Sequence, residues 1–488
     1  MLKVGMIDAN TKKQEMDESY SELVSVVALW LRYELEKAGI ALTTPARDAD
    51  VVLLVHSGEL DFVKNCHDAL RQARINPDPN ERTHYIITGG GIDTSPMTAL
   101  AIANALAVGE AYRFVRELFE LCKRTSHVGD VDAWVAAYPH AIARSQVLEL
   151  ERDPYQPYLF NSAPPVLATP DEWVDWGDLQ PYLTDDGVYR VVASKGCHLR
   201  CQFCATTYRQ TYRVNPDAES IVTMVRGLKA KKASVALITN DAAALPFYSD
   251  VVEAGQLQFQ SMTVKALRDP HKRRDVMQTR MKMVRFGVEG LSARIRQAFG
   301  KPVSDDELLE ILSEFRANKQ QVKLFYIVGV PYEQDLDYDY MRAFLHRLQE
   351  QASSHTVTLK FTAFNPQFPT PLAYFIPPEH YTARFYAMRD AVLSRYHNRH
   401  IRFIPPRSPY RRLEALAETY AVSKGVMRTF VQDTTVDLAP TVDEARRMTC
   451  ELVGWHLSPE RRWRLSRSYQ KQMAAEAPDA LTTAPSIP

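Results

Sequence analysis

Residues 194–205 read Ser-Lys-Gly-Cys-His-Leu-Arg-Cys-Gln-Phe-Cys-Ala, and their three cysteines are the most informative feature of the chain. The spacing of Cys197, Cys201 and Cys204 puts three thiolates on one short loop, where they can converge on one face of an iron–sulfur cluster. An electron-transfer 4Fe–4S cluster normally takes four cysteines. Three ligands leave one iron open to bind another molecule, and we interpret that open iron as the reactive centre.

The distribution of the cysteines supports a cluster over the other uses of thiols. The chain has six cysteines, and the three outside this loop, Cys66, Cys122 and Cys450, are widely dispersed. Disulfide frameworks are typical of short secreted chains. A structural zinc site usually has a second ligand pair such as C-x2-C or H-x3-H at a distance, and the sequence contains none. The polar neighbours of the three cysteines do not fit an apolar core.

The loop resembles the C-x3-C-x-aromatic-C signature of the radical SAM superfamily, with Phe203 at the aromatic position. The resemblance implies a 4Fe–4S cluster on Cys197, Cys201 and Cys204, whose open iron binds the amino and carboxylate groups of S-adenosylmethionine (SAM). It implies reductive cleavage of SAM to methionine and a 5′-deoxyadenosyl radical, which abstracts hydrogen from an unactivated C–H. It also implies a reductant of the flavodoxin or ferredoxin type as a partner.

Length and composition bound the remaining possibilities. A chain of 488 residues is too long for one hydrophobic core and predicts two or three domains. Lys plus Arg and Asp plus Glu both number 59, so the overall charge does not indicate a polyanionic partner. No run of eighteen apolar residues occurs, so we predict no membrane span. The cluster and the free thiols predict a reducing, cytoplasmic location.

The first part of the chain alternates strand and helix patterns, which predicts a parallel, doubly wound α/β domain over residues 1–128. It resembles the cobalamin-binding-like domain that precedes the barrel in one branch of the superfamily, through the turn at 89–91 and the Val-Gly-Glu segment at 108–110. The D-x-H-x-x-G run that supplies a cobalt ligand in other cobalamin proteins is absent. Many cobalamin-dependent members of the superfamily also lack this run, so its absence does not exclude cobalamin, for which His56 and His84 are the candidate cobalt-side residues. We favour a scaffold or substrate-contacting domain over a cobalamin-loaded one.

A second set of patterns predicts a partial (β/α)6 barrel over residues 187–398, as the resemblance implies. Residues 129–186 are predicted to be an interdomain connector, and residues 399–488 a mostly helical region with a disordered tail. The six predicted barrel strands are Val188–Ser194, Ser234–Thr239, Met262–Ala266, Met281–Val288, Val322–Val328 and Val357–Thr362.

Polar residues and turns follow these strands at the positions where the superfamily binds SAM. After the second strand the superfamily usually has Gly-Gly-Glu, which contacts the methionine amine, and this chain has Thr239-Asn240-Asp241. Asn240 or Asp241 is the candidate to accept that hydrogen bond. The run from Gly287 resembles a G-x-E-x-x-S-x-R segment that holds the ribose hydroxyls and the carboxylate, and Gly329 begins a turn like the one beneath the adenine. The resemblance therefore implies SAM contacts from Phe203, Asn240, Asp241, Glu289, Ser292, Arg294 and Gly329.

Three functional hypotheses follow. The first is hydrogen abstraction that rearranges or functionalises a C–H position of a nucleobase or its substituent in tRNA or DNA. It rests on the C-terminal basic and aromatic residues, which can bind phosphates and stack bases, although a solvated helix face has the same composition. These residues are Arg399, Arg402, Phe403, Arg407, Tyr410, Arg411, Arg412, Arg461, Arg462, Trp463, Arg464 and Arg467.

The second hypothesis is a cobalamin-dependent radical methyltransferase that acts on a small molecule or peptide, and the third is a non-catalytic iron–sulfur sensor. We do not expect sulfur insertion, because the chain lacks the extra cysteine trio of methylthiotransferases. Tyr208, Tyr212 and Tyr326 are candidates for quenching a substrate radical, because a phenol can donate hydrogen.

Overall fold

The computed structural model describes most of the chain up to residue 405 and divides it into two units. The described residues are 1–9, 39–56, 62–89, 99–146 except 101 and 108–111, 188–204, 211–258, 261–351 except 280 and 282, 356–364, 394–405 except 399, and a few isolated positions.

The first unit contains a five-stranded sheet whose strands follow chain order. Its parallel strands are β1 (Val4–Asp8), β2 (Val51–Val55), β3 (Tyr85–Gly89) and β4 (Ala105–Ala107), and β5 (Ala141–Ala143) runs antiparallel at the edge. Its helices are α1 (Phe62–Gln72), α2 (Tyr112–Cys122) and α3 (Val128–Ala137), with a 3-10 turn at Ala46–Asp48. β2 is buried along its whole length, as its unbroken apolar sequence predicts.

The alternation of strands and helices predicted for this unit is confirmed, but two details differ. The sheet continues beyond the predicted boundary at residue 128, because β5 pairs antiparallel with β4. The described strands also show no reversal of strand order, which is the feature that creates the ligand crevice of a doubly wound sheet. Residues 90, 91 and 108–110, which belong to the two segments that carry the resemblance to a cobalamin-binding-like domain, lie outside the described residues.

The second unit contains two parallel sheets and a short antiparallel ladder. β6 (Val188–Val192), β9 (Ser234–Ile238) and β10 (Gln256–Leu257) form one sheet, and β7 (Ser194–Lys195) pairs with β8 (Arg213–Val214). The larger sheet has five parallel strands in chain order: β11 (Met262–Thr263), β12 (Met283–Glu289), β13 (Gln321–Val328), β14 (Val357–Ala363) and β15 (Ile401–Ile404).

Helices alternate with these strands, as a βα barrel requires. They are α4 (Ala218–Ala230), α5 (Tyr248–Ala254), α6 (Val264–Leu267), α7 (Pro270–Gln278), α8 (Ala293–Ala298), α9 (Asp305–Ala317), α10 (Asp335–Glu350) and α11 (Ser394–Tyr396), with a 3-10 turn at Ala242–Ala244. Ser304 begins α9 with a capping box, in which its side chain and that of Glu307 each accept a hydrogen bond from the other's backbone N–H.

The six predicted barrel strands are present, and the α/β class with parallel sheets is confirmed. The third strand is shorter than predicted, because the Thr263 side chain accepts a hydrogen bond from the Ala266 backbone N–H and caps α6 instead. β15 lies beyond residue 398, the predicted end of the barrel, and pairs in parallel with β14. The domain boundaries otherwise stay predictions.

One face of the five-stranded sheet is apolar and packs against helices. Residues that alternate along β12 to β14 are buried, including Phe286, Tyr326 and Phe361. Phe286 lies 6.4 Å from Phe315 of α9, measured between ring centroids, and Tyr326 stacks on Phe361 at 5.5 Å. The side chains on the opposite face of these strands do not take part in this packing. No helix in the described part of the chain is both long and apolar enough to span a membrane.

Candidate functional site

The cysteine loop is held by the β7–β8 ladder and by hydrogen bonds from one side chain and one backbone amide. It begins with β7, whose pairing with β8 closes a small ladder, and Gly196 then turns the chain with a φ of 64° that favours glycine. The Asn240 amide, just after β9, donates to the Gly196 carbonyl at 2.7 Å. The Gln202 backbone N–H donates to the Phe299 carbonyl at 3.1 Å. The loop is thereby tied to the ends of β9 and α8.

The three loop cysteines are free thiols that differ in their exposure to solvent. Cys201 is buried, whereas Cys197 and Cys204 are partly exposed. Burial raises the pKa of Cys201 to about 12, against the opposing effect of the Lys301 ammonium. Burial also raises the pKa of Cys197, although the Leu199 backbone N–H, 3.5 Å from its sulfur, acts in the opposite direction. Metal binding to such thiols must therefore release protons.

This donor set fits a cluster. Within the described residues, no three His, Cys, Asp or Glu side chains are placed to hold one metal ion. A 4Fe–4S cluster binds each thiolate to a different iron, so its cysteines stand apart from one another. Three free thiols on one anchored loop supply the three protein ligands of a cluster with one open iron.

Lys301 is the main site residue that the sequence interpretation missed. Its ammonium donates to Glu289 Oε1 at 2.8 Å and lies 5.8 Å from the centre of the Phe203 ring. Burial lowers the pKa of Lys301, but the Glu289 carboxylate and the Cys201 and Cys204 thiols raise it more, so the net shift is upward. Lys301 thus places a fixed positive charge beside the cysteine loop. It directly follows Gly300, whose positive φ ends α8, and that turn is the signal that sequence reading could have used.

Gly287 makes room for this ion pair. Glu289 has a φ of 71° and sits at an irregularity in the β12–β13 register. Its carboxylate folds back across β12, so a Cβ on Gly287 would overlap Oε1 of Glu289 and lie 3.0 Å from Lys301 Nζ. The face of β12 that carries Gly287 is therefore the face beside the cysteine loop.

Asp241 is buried in a polar group next to His198. Its carboxylate accepts hydrogen bonds from the backbone N–H of Thr263 at 3.2 Å and from the Thr263 hydroxyl at 2.5 Å. His198 Nε2 lies 3.7 Å from Oδ2 of Asp241, and the Tyr212 ring packs edge-on against the His198 ring at 5.4 Å. Burial raises the pKa of Asp241, against the opposing effect of its Thr263 hydrogen bonds. Asn240 is exposed beside it, so of these two residues Asn240 is the more accessible to a ligand.

Ser292 and Arg294 are bonded to Asp337 rather than presented on the surface. Ser292 caps α8 by accepting from the Ile295 backbone N–H, and its hydroxyl donates to Asp337. The Arg294 guanidinium donates to both oxygens of Asp337, and the side chains of this pair are 1% and 0% exposed. The pair joins α8 to the start of α10. The predicted contact of Ser292 and Arg294 with SAM stays a prediction, and it would need this network to rearrange.

Gly329 lies in a turn that a buried carboxylate organises. Its φ is 75°, and its backbone N–H donates to Glu333 Oε2 at 3.0 Å. The Tyr338 hydroxyl donates to the other oxygen of Glu333, and burial raises the pKa of Glu333 to about 7. Sequence reasoning did not single out Glu333, although its place four residues after a turn glycine is the available signal.

Comparisons with known proteins agree with this geometry. Residues 191–345, which span the cysteine loop, α8 and most of α10, match the family model of the radical SAM superfamily. The chain contains a radical SAM domain. Its loop cysteines, Gly287, Glu289 and Gly329 all fall within that domain, and the chain is a radical SAM enzyme. No curated protein matches the sequence.

Solved structures that are similar to most of the chain include cobalamin-bound radical SAM enzymes. The methyltransferase TsrM from Kitasatospora setae, with cobalamin and a 4Fe–4S cluster bound, matches over 92% of this chain and 99% of its own, at 12% identity and a TM-score of 0.53. TsrM with tryptophan and a SAM analogue matches over 76% and 74%, at 13% identity and 0.51. The cobalamin-dependent SAM radical enzyme OxsB, with aqua-cobalamin and SAM, matches over 97% and 75%, at 11% identity and 0.50. The TM-scores show a shared fold, and at such low identities the matches show the fold alone.

The structure gathers most of the predicted residues around one loop. Phe203 packs against Phe299 at 4.8 Å, and Asn240, Asp241 and Glu289 surround the same segment through the bonds described above. Tyr326 is buried in the apolar face of the sheet. Tyr208, Cys450 and all the predicted nucleic-acid residues except Arg402 and Phe403 lie outside the described residues.

Proposed function

We propose that this radical SAM enzyme is a cobalamin-dependent methyltransferase that acts on a small molecule or peptide. The observation that carries the proposal is the match to cobalamin-bound TsrM, which extends over 92% of this chain rather than over the radical SAM domain alone. The first of the three hypotheses, nucleobase modification, has no such support. The two described residues of its basic surface, Arg402 and Phe403, belong to β15 of the barrel sheet.

The first sheet offers a suitable edge for a large flat cofactor. β3 ends in Gly89 and β4 in Ala107, and a Cβ on Gly89 would lie 3.0 Å from the Ala107 carbonyl oxygen. Small residues thus present backbone rather than bulky side chains at the carboxyl ends of these two parallel strands. We infer that cobalamin is held here, which revises the scaffold role predicted from the sequence.

The two histidines considered for cobalt have other bonds. His56, after β2, has its Nε2 3.1 Å from the Asn65 amide nitrogen, and its ring packs edge-on against Phe62 at 5.3 Å. His84 has its Nε2 2.9 Å from the Arg47 carbonyl oxygen, to which it donates. Both rings are thereby held by neighbours within the first unit. The proposal accordingly assigns neither of them to cobalt.

The residues around the cysteine loop have distinct tasks in this proposal. Cys197, Cys201 and Cys204 hold the cluster, and Phe203 and Phe299 form an apolar wall that excludes water beside it. Lys301, kept charged by Glu289, offsets the negative charge of the thiolates. Asn240 offers a hydrogen-bonding amide at the exposed end of β9. When bound, the cluster and cobalamin supply electron transfer and methyl-group transfer, which amino-acid side chains cannot.

Product analysis after anaerobic reconstitution tests the proposal. The chain would be loaded with iron, sulfide and SAM, with and without cobalamin, and reduced with dithionite. S-adenosylhomocysteine that forms only with cobalamin is the expected result, because methyl transfer leaves that product. Deoxyadenosine as the sole product, unaffected by cobalamin, would contradict methyl transfer and favour hydrogen abstraction. Cys201→Ala should abolish either product, and Cys122→Ala, a buried cysteine outside the loop, serves as the matched control.

A further inference from the structure

The segment from Phe299 to Lys301 runs along the cysteine loop. The Phe299 carbonyl accepts a hydrogen bond from the Gln202 backbone N–H at 3.1 Å. Gly300 has a φ of 78°, and a Cβ on it would lie 3.1 Å from the Arg200 carbonyl oxygen, so this position suits glycine. The course of the backbone therefore brings Lys301, the next residue, to the loop.

Lys301 acts on the loop cysteines more strongly than its partner Glu289 does. Its ammonium lies 5.8 Å from the centre of the ring of Phe203, which belongs to the loop. Burial has the largest effect on the pKa of Cys201, Lys301 has the next largest and lowers that pKa, and Glu289 raises it by less. Burial also raises the pKa of Cys197 most, and Lys301 is among the groups that lower it. The ion pair thus turns its positive end toward the cysteines.

The pair of Lys301 and Glu289 is largely shielded from solvent. The Lys301 Nζ lies 2.8 Å from Oε1 of Glu289, and the two side chains are 15% and 14% exposed. Glu289 folds back over Gly287, where a Cβ would overlap its carboxylate. Charges at this depth are screened by salt much less than surface charges are. The cysteine loop therefore lies in a fixed electric field.

We propose that the pair of Lys301 and Glu289 sets the reduction potential of the cluster, with Lys301 raising the potential and Glu289 lowering it by less. When an external one-electron donor reduces the cluster, the donor loses one electron, the cluster gains it, and no bond forms or breaks. The gained electron adds negative charge to a centre that already carries three thiolates. A positive charge nearby stabilises that state, and local charge is one of the properties that set cluster potentials.

This role goes beyond the proposed function, because it concerns the cluster alone and requires no cobalamin. Reductive cleavage of SAM needs the reduced cluster, so a higher potential increases the fraction of chains that can react. Lys301 and Glu289 act through the cysteine loop, and they are therefore positioning residues.

The size of the effect follows from the distance dependence of charge interactions. At an effective dielectric constant of about 20, a unit charge about 12 Å from the added electron changes the reduction equilibrium about tenfold. A tenfold change in the ratio of reduced to oxidised cluster corresponds to about 59 mV for one electron. We expect about tenfold less reduction in Lys301→Met, and about threefold more in Glu289→Gln, whose charge acts more weakly on the cysteines.

Redox titration of the cluster-loaded chain tests the proposal. The full-length chain would be reconstituted with iron and sulfide, and its potential measured with dithionite by electron paramagnetic resonance. SAM and cobalamin are left out, so that a contact between Glu289 and SAM does not enter. Lys123→Met is the matched control for Lys301→Met, because Lys123 pairs with Glu120 at the same 2.8 Å, but with side chains 43% and 56% exposed that solvent screens.

The expected result is a lower potential in Lys301→Met, a higher one in Glu289→Gln, and an intermediate one in the double variant. Lys301→Arg keeps the positive charge and should recover most of the shift, and Lys123→Met should match the wild type. The proposal would be overturned if Lys301→Met stayed within about twofold of the wild-type equilibrium, or if both single variants shifted the potential in the same direction. If Lys301→Met holds no iron, Glu289→Gln decides, because an unchanged potential in that variant overturns the proposal.

A parallel measurement separates this proposal from the proposed function. Cobalamin-dependent formation of S-adenosylhomocysteine would be measured on the wild-type protein. If the potentials shift as expected but that product does not form, the methyltransferase assignment is wrong and the redox role stands. If the product forms but the potentials do not move, only the redox role is wrong.

Discussion

Removal of the Lys301 ammonium should destabilise the radical SAM domain by about 3 kcal/mol. In Lys301→Met the Glu289 carboxylate, whose side chain is 14% exposed, would lose its partner at 2.8 Å. Breaking a buried ion pair at one partner costs about 3–5 kcal/mol, and the residual exposure places this pair at the lower end. For a domain of this size, such a loss lowers the melting temperature by about 6–12 °C.

The assay is thermal unfolding of the chain without cofactors, so that cluster assembly does not enter. The pKa of Lys301 is raised, so the stability from its charge is present below its ordinary pKa and declines only as the pH rises through the folded-state value. The full effect should therefore be seen at neutral pH. Lys301→Met/Glu289→Gln removes both charges and should recover more than half of the loss. The ion-pair argument would be refuted if Lys301→Met had the melting temperature of the wild type. It would also be refuted if the double variant melted at no higher a temperature than Lys301→Met.

Three further results are expected. Cys201→Ala should lose most of its bound iron after reconstitution while Cys122→Ala keeps it, as measured by iron analysis, and equal iron in both would contradict the cluster assignment. Gly287→Ala should displace the Glu289 carboxylate and destabilise the chain by at least 1 kcal/mol in urea unfolding, since its Cβ overlaps that group; unchanged stability would show that the carboxylate moves freely. The raised pKa of Glu333 should make the folded state lose about 3 kcal/mol of stability as the pH rises from about 4.5 to 7. Glu333→Gln should remove this pH dependence from the free energy of unfolding. An unaltered pH profile in the variant would exclude Glu333 as its source.

The sequence predicted the parts of the fold whose patterns are local. The buried apolar runs of β2 and β13 and the capping box at Ser304 identify their elements without tertiary information. The cysteine loop was equally predictable, because the spacing of its three cysteines by itself indicates a site for an iron–sulfur cluster. The third barrel strand was predicted too long because Thr263 and Val264 are β-branched and favour strands, whereas the Thr263 side chain caps a helix that begins at Val264.

The site was less predictable where a side chain has a distant partner. Arg294 was predicted to contact SAM, and no sequence motif indicates that Asp337, 43 residues later, holds it in a buried pair. Lys301 had no motif of its own, and its role follows from the way Glu289 folds back over Gly287. Arg402 was interpreted as part of a nucleic-acid surface, because the sequence does not show the strand register that puts it on the same face of the sheet as Lys323. Such relations depend on tertiary register, which one sequence does not display.

The cofactor content of the reconstituted chain tests the central claim most directly. After anaerobic loading with iron, sulfide and cobalamin and removal of unbound material, iron analysis and the absorption spectrum would be recorded on one sample. The account predicts about four irons and one cobalamin per chain, with the iron, but not the cobalamin, lost in Cys201→Ala. A chain that holds the irons and retains no cobalamin would contradict the cobalamin-dependent assignment.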